Sequence, residues 1–342
     1  MIAATVDWLI LAVPALAVGF LFFDALTALG QNGRVIGATL SLVYFGLFNS
    51  GVDGGQTWGK KLLGIRVVGA SGSPISLPRS LARWLVLALP FYLNGLDFSP
   101  FVQGYSEEVT AAAGAFALML VFGFGAALTY LYVFNRGTRQ SLHDLFVESF
   151  VVRVAPEAAV ASRVWPAHVW IALALIASSL LVPAFLGSVT SLIATDETFA
   201  SLNGIVADLE KNPEILRATA STQTVTSWSS DEKAATTSFL LVTVYARKRF
   251  DDATPLIRQT AKAVLQREPK LLGADQLKVT AIAEFDLGIA TGSISHSQSG
   301  TAEEWRKALE GGTLLVRSQK NDTVSAFIGR GRDWLNFVLP HR

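Results

Sequence analysis

Residues 111–134 (AAAGAFALMLVFGFGAALTYLYVF) contain no charged side chain. A helix needs about 20 mostly apolar residues to cross the hydrocarbon core of a bilayer. Residues 8–23, 35–50 and 165–192 are three further runs of this kind, and the first of them continues past Asp24 as ALTALG. The four runs predict membrane-spanning helices.

A fifth apolar segment, residues 81–98, is more ambiguous. It carries Arg83 at one end, Pro90 in the middle and Asp97 at the other end. These features are compatible with a kinked crossing, a re-entrant segment or an interfacial amphipathic helix.

The basic residues of the loops help to choose among these alternatives, because short cytoplasmic loops are enriched in Lys and Arg. Residues 52–83 contain five basic residues and residues 135–165 contain four, whereas residues 97–111 contain none. Both basic loops lie on the same side only if the segment between them crosses. The sequence therefore favours five crossings over four, with the N-terminus inside and residues 193–342 outside.

Charge is distributed unevenly along the chain. The whole sequence is 51% hydrophobic and 16% charged, against about 25% charged in soluble proteins. Residues 1–165 hold 10 Lys and Arg, whereas the remainder holds 18. The predicted fold is an α-helical integral membrane bundle of about five crossings followed by a small α+β soluble domain. Its parts are a membrane domain (1–155), an additional membrane helix (165–192) and an extracytoplasmic domain (193–342).

Composition also narrows the chemistry. The absence of cysteine excludes disulfides, thiolate metal sites and thiol catalysis. The net charge of +1 gives no reason to expect a nucleic-acid partner.

The polar run at residues 51–74 (GVDGGQTWGKKLLGIRVVGASGSP) invites comparison with a phosphate-binding loop. That loop requires Ser or Thr directly after the lysine of G-x-x-x-x-G-K, but Lys61 follows Lys60 here. No nucleotide or other cofactor is expected. The glycines permit backbone turns, and KKLLGIRVV is predicted to lie along the membrane as an amphipathic strand or helix. Lys60, Lys61 and Arg66 are then placed to contact anionic lipid, at about 1 kcal/mol per basic residue, although fixing the topology is their default role.

Two segments carry a family resemblance. GQTWGKKLLGIRVV (55–68) and RQSLHDLFVESFVV (139–152) resemble the RDD family of bacterial multi-pass membrane proteins. The first matches the pattern G-x-T-x-G-K-x-x-x-G-[IL]-R-V-V, and the second matches Q-[ST]-L-H-D. The matching positions are Gly55, Thr57, Gly59, Lys60, Gly64, Ile65 and Arg66, then Gln140, Leu142, His143 and Asp144.

The resemblance extends to the first helix, where AATVDWLI supplies the aspartate, Asp7, of the family's Arg-x-x-Ala-x-x-Ile-Asp segment. The arginine of that segment would fall about one position before Met1 and is absent. LFVES also replaces the basic, glycine-containing stretch that commonly follows the His-Asp pair. The resemblance covers about residues 1–155. It implies a location in the bacterial inner membrane and a transport role suggested for some members, without naming a substrate.

Two acidic residues near the predicted spans have alternative interpretations. A carboxylate at hydrocarbon depth is costly and usually faces a partner or a water-filled cavity. Asp7 and Asp24 are therefore either members of a proton or cation relay or capped residues at helix ends. Trp8 is typical of a membrane interface and favours the structural interpretation for Asp7, whereas both remain open for Asp24.

His143 and Asp144 do not by themselves make a catalytic triad or a metal site. The sequence predicts a hydrogen-bonded structural pair that closes against Lys60 or Arg66. Since both motif loops are predicted on one side, they are expected to pack together, and a charge swap between Asp144 and Arg66 is expected to restore function.

The C-terminal residues predict a mixed domain with β-α-β-β-α order after a first helix. The polar residues 221–230 are expected to form a linker or an edge strand. The remaining elements are a helix at 196–218 that stops near Pro213, a strand at 238–246, a helix at 251–268, a hairpin of strands at 276–286 and 288–299, and a helix that opens with a Thr301–Glu304 capping box. No catalytic constellation stands out, so a ligand-sensing or partner-binding module is expected rather than an enzyme.

Two functions follow as expectations. The preferred one is an integral membrane protein that moves or gates a small solute or ion through the bundle. The alternative is a membrane-anchored sensor or assembly protein whose soluble domain binds a cell-envelope partner. Small residues in the 111–134 span, such as Gly123, suit close helix packing within the protein or in a homo-oligomer.

Overall fold

A computed structural model describes residues 2–94, 104–154, 164–183, 185, 197–229, 232–311, 317–327 and 334–338. Asp97 and residues 95–98 of the fifth apolar segment lie outside the described residues, as do residues 186–192 of the last predicted span.

The first half of the chain is mainly helical, with two short strands. Its elements are α1 (Ile2–Leu21), α2 (Phe23–Leu29), α3 (Arg34–Phe48), α4 (Trp58–Leu62), β1 (Ile65–Gly69), α5 (Leu77–Leu93), α6 (Glu107–Leu118), α7 (Phe124–Phe134), α8 (Leu142–Phe146), β2 (Ser149–Arg153) and α9 (Pro166–Ser178). A π-helical turn at Met119–Gly123 joins α6 to α7.

Three described helices are long and apolar enough to cross a membrane. They are Ile2–Leu21, Ala112–Phe134 and Pro166–Pro183, with mean hydropathies of 2.0, 2.0 and 1.7. Only 22%, 28% and 11% of these segments are buried inside the protein, so most of their apolar surface faces outward. Such a surface fits lipid better than water, and it identifies a membrane protein.

The other two predicted spans form shorter helices. α3 has 15 residues and α5 has 17, below the usual length of about 20. The first predicted span is also interrupted. α1 ends at Leu21 and α2 starts at Phe23, so Asp24 lies in the first turn of a separate helix.

The two family-like segments meet at one end of the bundle. β1 and β2 pair antiparallel, from Ile65 opposite Arg153 to Gly69 opposite Ser149. We call this the motif end, formed by residues 50–76 and 135–154. The expected packing of the two segments is confirmed. Residues 60–68 (KKLLGIRVV) were expected to form a strand or a helix along the membrane. They contain parts of both, because α4 ends at Leu62 and β1 begins at Ile65.

The C-terminal region is built on one sheet and repeats the order helix-strand-strand three times. Its elements are α10 (Glu197–Leu209), β3 (Ile215–Ser229), β4 (Glu232–Ala246), α11 (Thr254–Arg267), β5 (Gln276–Asp286), β6 (Ala290–Gly300), α12 (Ala302–Leu309), β7 (Arg317–Phe327) and β8 (Trp334–Val338). The six strands lie in sequence order, with β4 and β5 parallel and the other pairs antiparallel. We call residues 197–338 the sheet domain.

Several predictions for the sheet domain are confirmed. β5 alternates buried and partly buried residues along its length, as expected of a strand with one face in the core. The Thr301–Glu304 capping box is formed in both directions. The hairpin, the second helix and the third helix are all present.

The remaining predictions for this region are confirmed in part. The helix expected over residues 196–218, with a stop near Pro213, ends at Leu209, and the chain becomes strand at Ile215, because proline lacks the N–H needed within a helix. The polar residues 221–230, expected to form a linker or an edge strand, continue the edge strand β3 to Ser229, so the second alternative is confirmed. β7 and β8 were not expected. The order of elements is therefore longer than β-α-β-β-α.

The sheet domain and the helices share one apolar core. It joins bundle residues such as Phe23 and Tyr92 to sheet residues such as Phe285, Leu287 and Ile289. The tip of the β5–β6 hairpin lies against α1, α2, α3 and α5, at the end opposite the motif end. We call this the domain end of the bundle.

Candidate functional site at the motif end

Asp7 is the most deeply buried charge of the bundle. Its side chain is on α1, and the residue is 0% exposed. The carboxylate accepts hydrogen bonds from Tyr44 Oη (2.7 Å), Thr57 Oγ1 (2.6 Å) and the Gly59 backbone N–H (2.7 Å). Three donors compensate for the loss of water around a buried carboxylate. Asp7 thereby holds α1, α3 and α4 together.

The first family-like segment, residues 55–68, which we call the glycine-lysine motif, explains how these donors are positioned. Thr57 caps α4 by accepting a hydrogen bond from Lys60 N. A Cβ on Gly59 would lie 2.1 Å from the carbonyl oxygen of Ala3, so only glycine lets α4 approach α1 closely enough to donate to Asp7.

Lys60 follows Gly59 directly, and its ammonium group lies beside Thr57, one of the donors to Asp7. Its Nζ donates to Asn49 Oδ1 at 2.6 Å and to Thr57 Oγ1 at 3.4 Å. Burial lowers the pKa of Lys60 to about 7, and the like charge of Arg83 adds to this effect, whereas Asp7 and Asp144 oppose it. The ammonium can therefore gain or lose a proton near neutral pH.

A second charge pair lies beside Lys60. Arg83 Nη2 is 2.8 Å from Asp144 Oδ1, and Arg83 Nε donates to the same oxygen at 2.9 Å. Ser149 Oγ also donates to this oxygen at 3.0 Å. Both charged side chains are under 10% exposed, as befits a buried pair with further hydrogen bonds.

The protonation states of this pair follow from its surroundings. Burial raises the pKa of Asp144, but the charge of Arg83 and the hydrogen bonds from Arg83 and Ser149 outweigh it, so the pKa is lowered. Burial lowers the pKa of His143 to about 4, although Asp144 opposes the shift. A neutral His143 can accept a hydrogen bond from Arg83 Nη2, which lies 3.0 Å from its Nε2.

The structure therefore brings Asp7, Lys60, His143 and Asp144 into one region, which we call the motif cluster. The expected partner of Asp144 is corrected, because Arg83 takes the place proposed for Lys60 or Arg66. α8 carries Asp144 and packs against α5, which carries Arg83, whereas Arg66 lies in β1 opposite Val152. Arg66 Nε is buried and has no hydrogen-bond partner among the described residues.

Sequence reasoning missed Arg83, Tyr44, Asn49 and Ser149 as members of the cluster. For Arg83 a signal was present, since it directly precedes the uncharged stretch of α5 from Trp84 to Leu93. An arginine at that depth needs an acceptor. The other three gave no signal, because polar residues at helix ends and in strands are ordinary.

Asp24 is not part of the cluster. It is exposed at the domain end, where its Oδ1 accepts a hydrogen bond from the backbone N–H of Arg249 at 2.7 Å. It lines a pocket of 340 Å³ with Arg249 and with neighbouring residues of α1 and α2.

A second polar contact at the domain end joins the bundle to the sheet domain. Arg34 Nε lies 2.8 Å from Asp286 Oδ2, and the same guanidinium donates to the carbonyl oxygen of Asn94. A Cβ on Gly37 would lie 1.8 Å from the carbonyl oxygen of Leu287. The hairpin tip therefore rests directly on the backbone of α3.

One of three comparisons with known proteins gave a match. The sequence profile of the RDD family matches residues 1–148. Searches of curated proteins and of solved structures returned no match. The matched residues include Asp7, Lys60, Arg83 and Asp144, the charges of the motif cluster. Residues 1–148 are therefore an RDD domain, and the rest of the chain lies outside the match.

Proposed function

We propose that the chain crosses the bacterial inner membrane five times, with the motif end inside and the sheet domain outside. At about 1.5 Å per residue, α3 and α5 are about 22 and 25 Å long, shorter than a hydrocarbon core of about 30 Å, and local thinning of the bilayer accommodates spans of this length. Exposed apolar side chains extend the membrane-facing surface at the motif end, including Trp58 (57%) and Leu62 (72%). Lys60, Lys61 and Arg66 are near the same end, where anionic lipid favours basic residues.

Single-cysteine labelling tests this topology directly, because the chain has no cysteine. Lys61→Cys reports on the motif end, and Ser221→Cys reports on an exposed position of β3. In intact cells with a permeabilised outer layer, a membrane-impermeant maleimide is expected to label Ser221→Cys alone. Labelling of both positions on the same side contradicts five crossings.

For activity, the geometry best supports the membrane-anchored binding protein. The observation that carries this proposal is a two-stranded arm, which consists of residues 221–229 of β3 and 232–238 of β4. β4 pairs with β5 only from Phe239 to Tyr245, so residues 232–238 pair with β3 alone among the described strands. At about 3.4 Å per residue the arm extends about 20 Å beyond the rest of the sheet.

The arm has the properties of a surface that a partner completes. Residues 221–226 of β3 are all exposed, and β3 is at the edge of the sheet. A lone two-stranded ribbon is marginally stable in water, and an open strand edge accepts a further strand by backbone hydrogen bonding. A cell-envelope protein that adds to this edge is the proposed partner.

Site-specific photo-crosslinking tests the proposal in cells. A photoreactive residue at Thr222 or Thr224 is expected to give a discrete adduct, which mass spectrometry identifies. Lys262, exposed on α11, is the matched control and is expected to give none. An adduct of twice the chain mass assigns the arm to a homo-oligomer instead. Equal yields at all three positions contradict a specific partner.

A second candidate, movement or gating of a small ion or proton, has its own support in a polar face of α3. Arg34, Ser41 and Tyr44 recur at helical spacing, so they share one side of the helix. Tyr44 binds Asp7 at the motif end, Ser41 Oγ is 2.9 Å from Tyr92 Oη, and Arg34 pairs with Asp286 at the domain end.

Proteoliposome flux measurements separate this candidate from the first. If the bundle conducts protons, a pH gradient is expected to collapse with wild type and with Lys61→Met, but not with Lys60→Met. Asp24→Asn is expected to behave as wild type, because Asp24 accepts its hydrogen bond from Arg249 and not from a residue of the polar face. No flux with wild type under proton, sodium or potassium gradients contradicts the candidate and leaves the binding proposal intact.

A further inference from the structure

An apolar cleft lies between α1 and α3 near the domain end. It has a volume of 540 Å³, within the range of about 300–1,000 Å³ usual for ligand pockets. Its walls include Leu11, Val18, Ile36 and Leu40, and its roof consists of Leu287 and Ile289 from the β5–β6 hairpin. Every residue that lines it is apolar.

The cleft opens onto membrane-facing surface. Three of its wall residues are also exposed: Val18 (44%), Ile36 (39%) and Leu40 (49%). Val13, on the same helix as Val18, is 65% exposed. Apolar side chains on a membrane-spanning helix meet hydrocarbon, so the cleft is open from the side to the acyl chains of lipids.

A second pocket, which includes two charged residues, adjoins the cleft at its domain end. The two share Phe22 and Ala25, and the adjoining pocket is also lined by Asp24 and Arg249. The hydrogen bond from Arg249 N to Asp24 fixes the loop after β4 against the bundle. Arg249 is preceded by Arg247 and Lys248, and all three residues are exposed.

These three basic residues have no carboxylate partner within ion-pair distance in the described part of the chain. A run of cationic side chains at the membrane surface attracts anionic headgroups. The apolar cleft and the basic loop follow one another along the bundle, as the acyl chains and the charged headgroup do in an anionic phospholipid.

We propose that the cleft binds one acyl chain of an anionic phospholipid, whose phosphate lies against the basic loop at residues 247–249. This site is at the opposite end of the bundle from Lys60, Lys61 and Arg66. Since Leu287 and Ile289 roof the cleft, the bound chain contacts the sheet domain as well as the bundle. A lipid at this position therefore stabilises the docking of the two parts.

The test uses the full chain in phosphatidylcholine nanodiscs that contain a phosphatidylglycerol probe with a diazirine in its acyl chain. Illumination is expected to label the peptide that contains residues 287–289. This peptide belongs to the sheet domain and lines the cleft through Leu287 and Ile289, so an acyl chain in the cleft lies beside it. Labelling confined to the outer surfaces of the spanning helices overturns the proposal.

Two variants examine the two halves of the site. Val18→Trp fills the cleft and is expected to abolish hairpin labelling, whereas Val13→Trp, outside the cleft, leaves it unchanged. Neutralising Arg249 with Arg249→Gln is expected to weaken probe binding about fivefold, the effect of one basic residue near a charged surface. Lys262→Gln is its matched control on α11.

The probe headgroup decides the class of ligand. A phosphatidylcholine probe with the same acyl chain is expected to label the hairpin less, and the difference is expected to shrink in Arg249→Gln. Equal labelling by both probes in wild type overturns the anionic assignment. Displacement by free palmitate as effective as that by phosphatidylglycerol overturns it as well, because the site then recognises only a chain.

Discussion

At the scale of single residues, the motif cluster consists of buried charges whose hydrogen-bond partners are fixed by the fold. Asp7 has three donors, and Asp144 has Arg83 and Ser149. Removing one partner of a buried pair leaves the other uncompensated, which costs more than the pair contributes as a whole. Individual partners can therefore be identified by substitution.

The pairing of Asp144 with Arg83 gives the first prediction. Arg83→Gln is expected to lower the free energy of unfolding by about 3–5 kcal/mol, the usual cost of an unpaired buried charge. Arg66→Gln, which keeps a similar stem, is expected to cost much less. Thermal unfolding in detergent measures both. Equal losses would restore Arg66 as the partner expected from the sequence.

The pKa of His143 gives the second prediction. Folding lowers it from 6.5 to about 4, so the unfolded chain binds more protons between these two values. Stability is therefore expected to fall as pH decreases from 6.5 to 4, by at most about 3 kcal/mol from this group. Unfolding of wild type and His143→Gln at several pH values measures the effect, and the variant is expected to lack this part of the slope. Parallel pH curves would contradict it.

At the scale of elements, the sequence was informative where a pattern is local. The uncharged runs predict the three long helices. The alternation of residues 276–286 and the capping box at Thr301 predict β5 and α12, with bounds that agree within a residue or two. The polar part of β3 was predicted only as one of two alternatives, a linker or an edge strand, because its residues carry no alternation of apolar side chains and its register comes from β4. The docking of the hairpin on α3 joins residues about 250 positions apart, and no local pattern encodes it.

The docking of the hairpin gives the third prediction. Gly37→Ala places a Cβ against the Leu287 carbonyl and is expected to raise hydrogen exchange at residues 286–290 while leaving the motif end protected. Gly114→Ala is the matched control, because no heavy atom lies within 4 Å of a Cβ built there. Similar exchange in the two variants would indicate that the hairpin is not seated on α3.

At the scale of the whole molecule, the bundle and the sheet domain are joined by a continuous apolar core. Composition predicts a lipid-facing bundle and a water-facing sheet domain. Their outer surfaces differ in this way, because the exposed large apolar side chains lie mostly on the bundle. This difference does not extend to the contact between them, where Phe285, Leu287 and Ile289 are at most 1% exposed. The two parts are therefore expected to unfold together.

The fourth prediction follows from this shared core. Leu287→Asp introduces an unpaired charge into the contact and is expected to separate unfolding into two transitions, followed by tryptophan fluorescence and by circular dichroism of the sheet. Val225→Asp, on the exposed arm (44%), is expected to keep a single transition. Two transitions in wild type would contradict cooperative unfolding.

The hydrogen bonds of Asp7 also have a consequence for biosynthesis. Its donors Tyr44, Thr57 and Gly59 follow it by 37, 50 and 52 positions, so the ribosome releases the aspartate long before them. The nascent first helix reaches the translocon with a carboxylate that has none of its final donors, a costly group in hydrocarbon. Lateral release of that helix into lipid is therefore favoured only after the glycine-lysine motif has been translated, which makes insertion of the first helix dependent on the fourth.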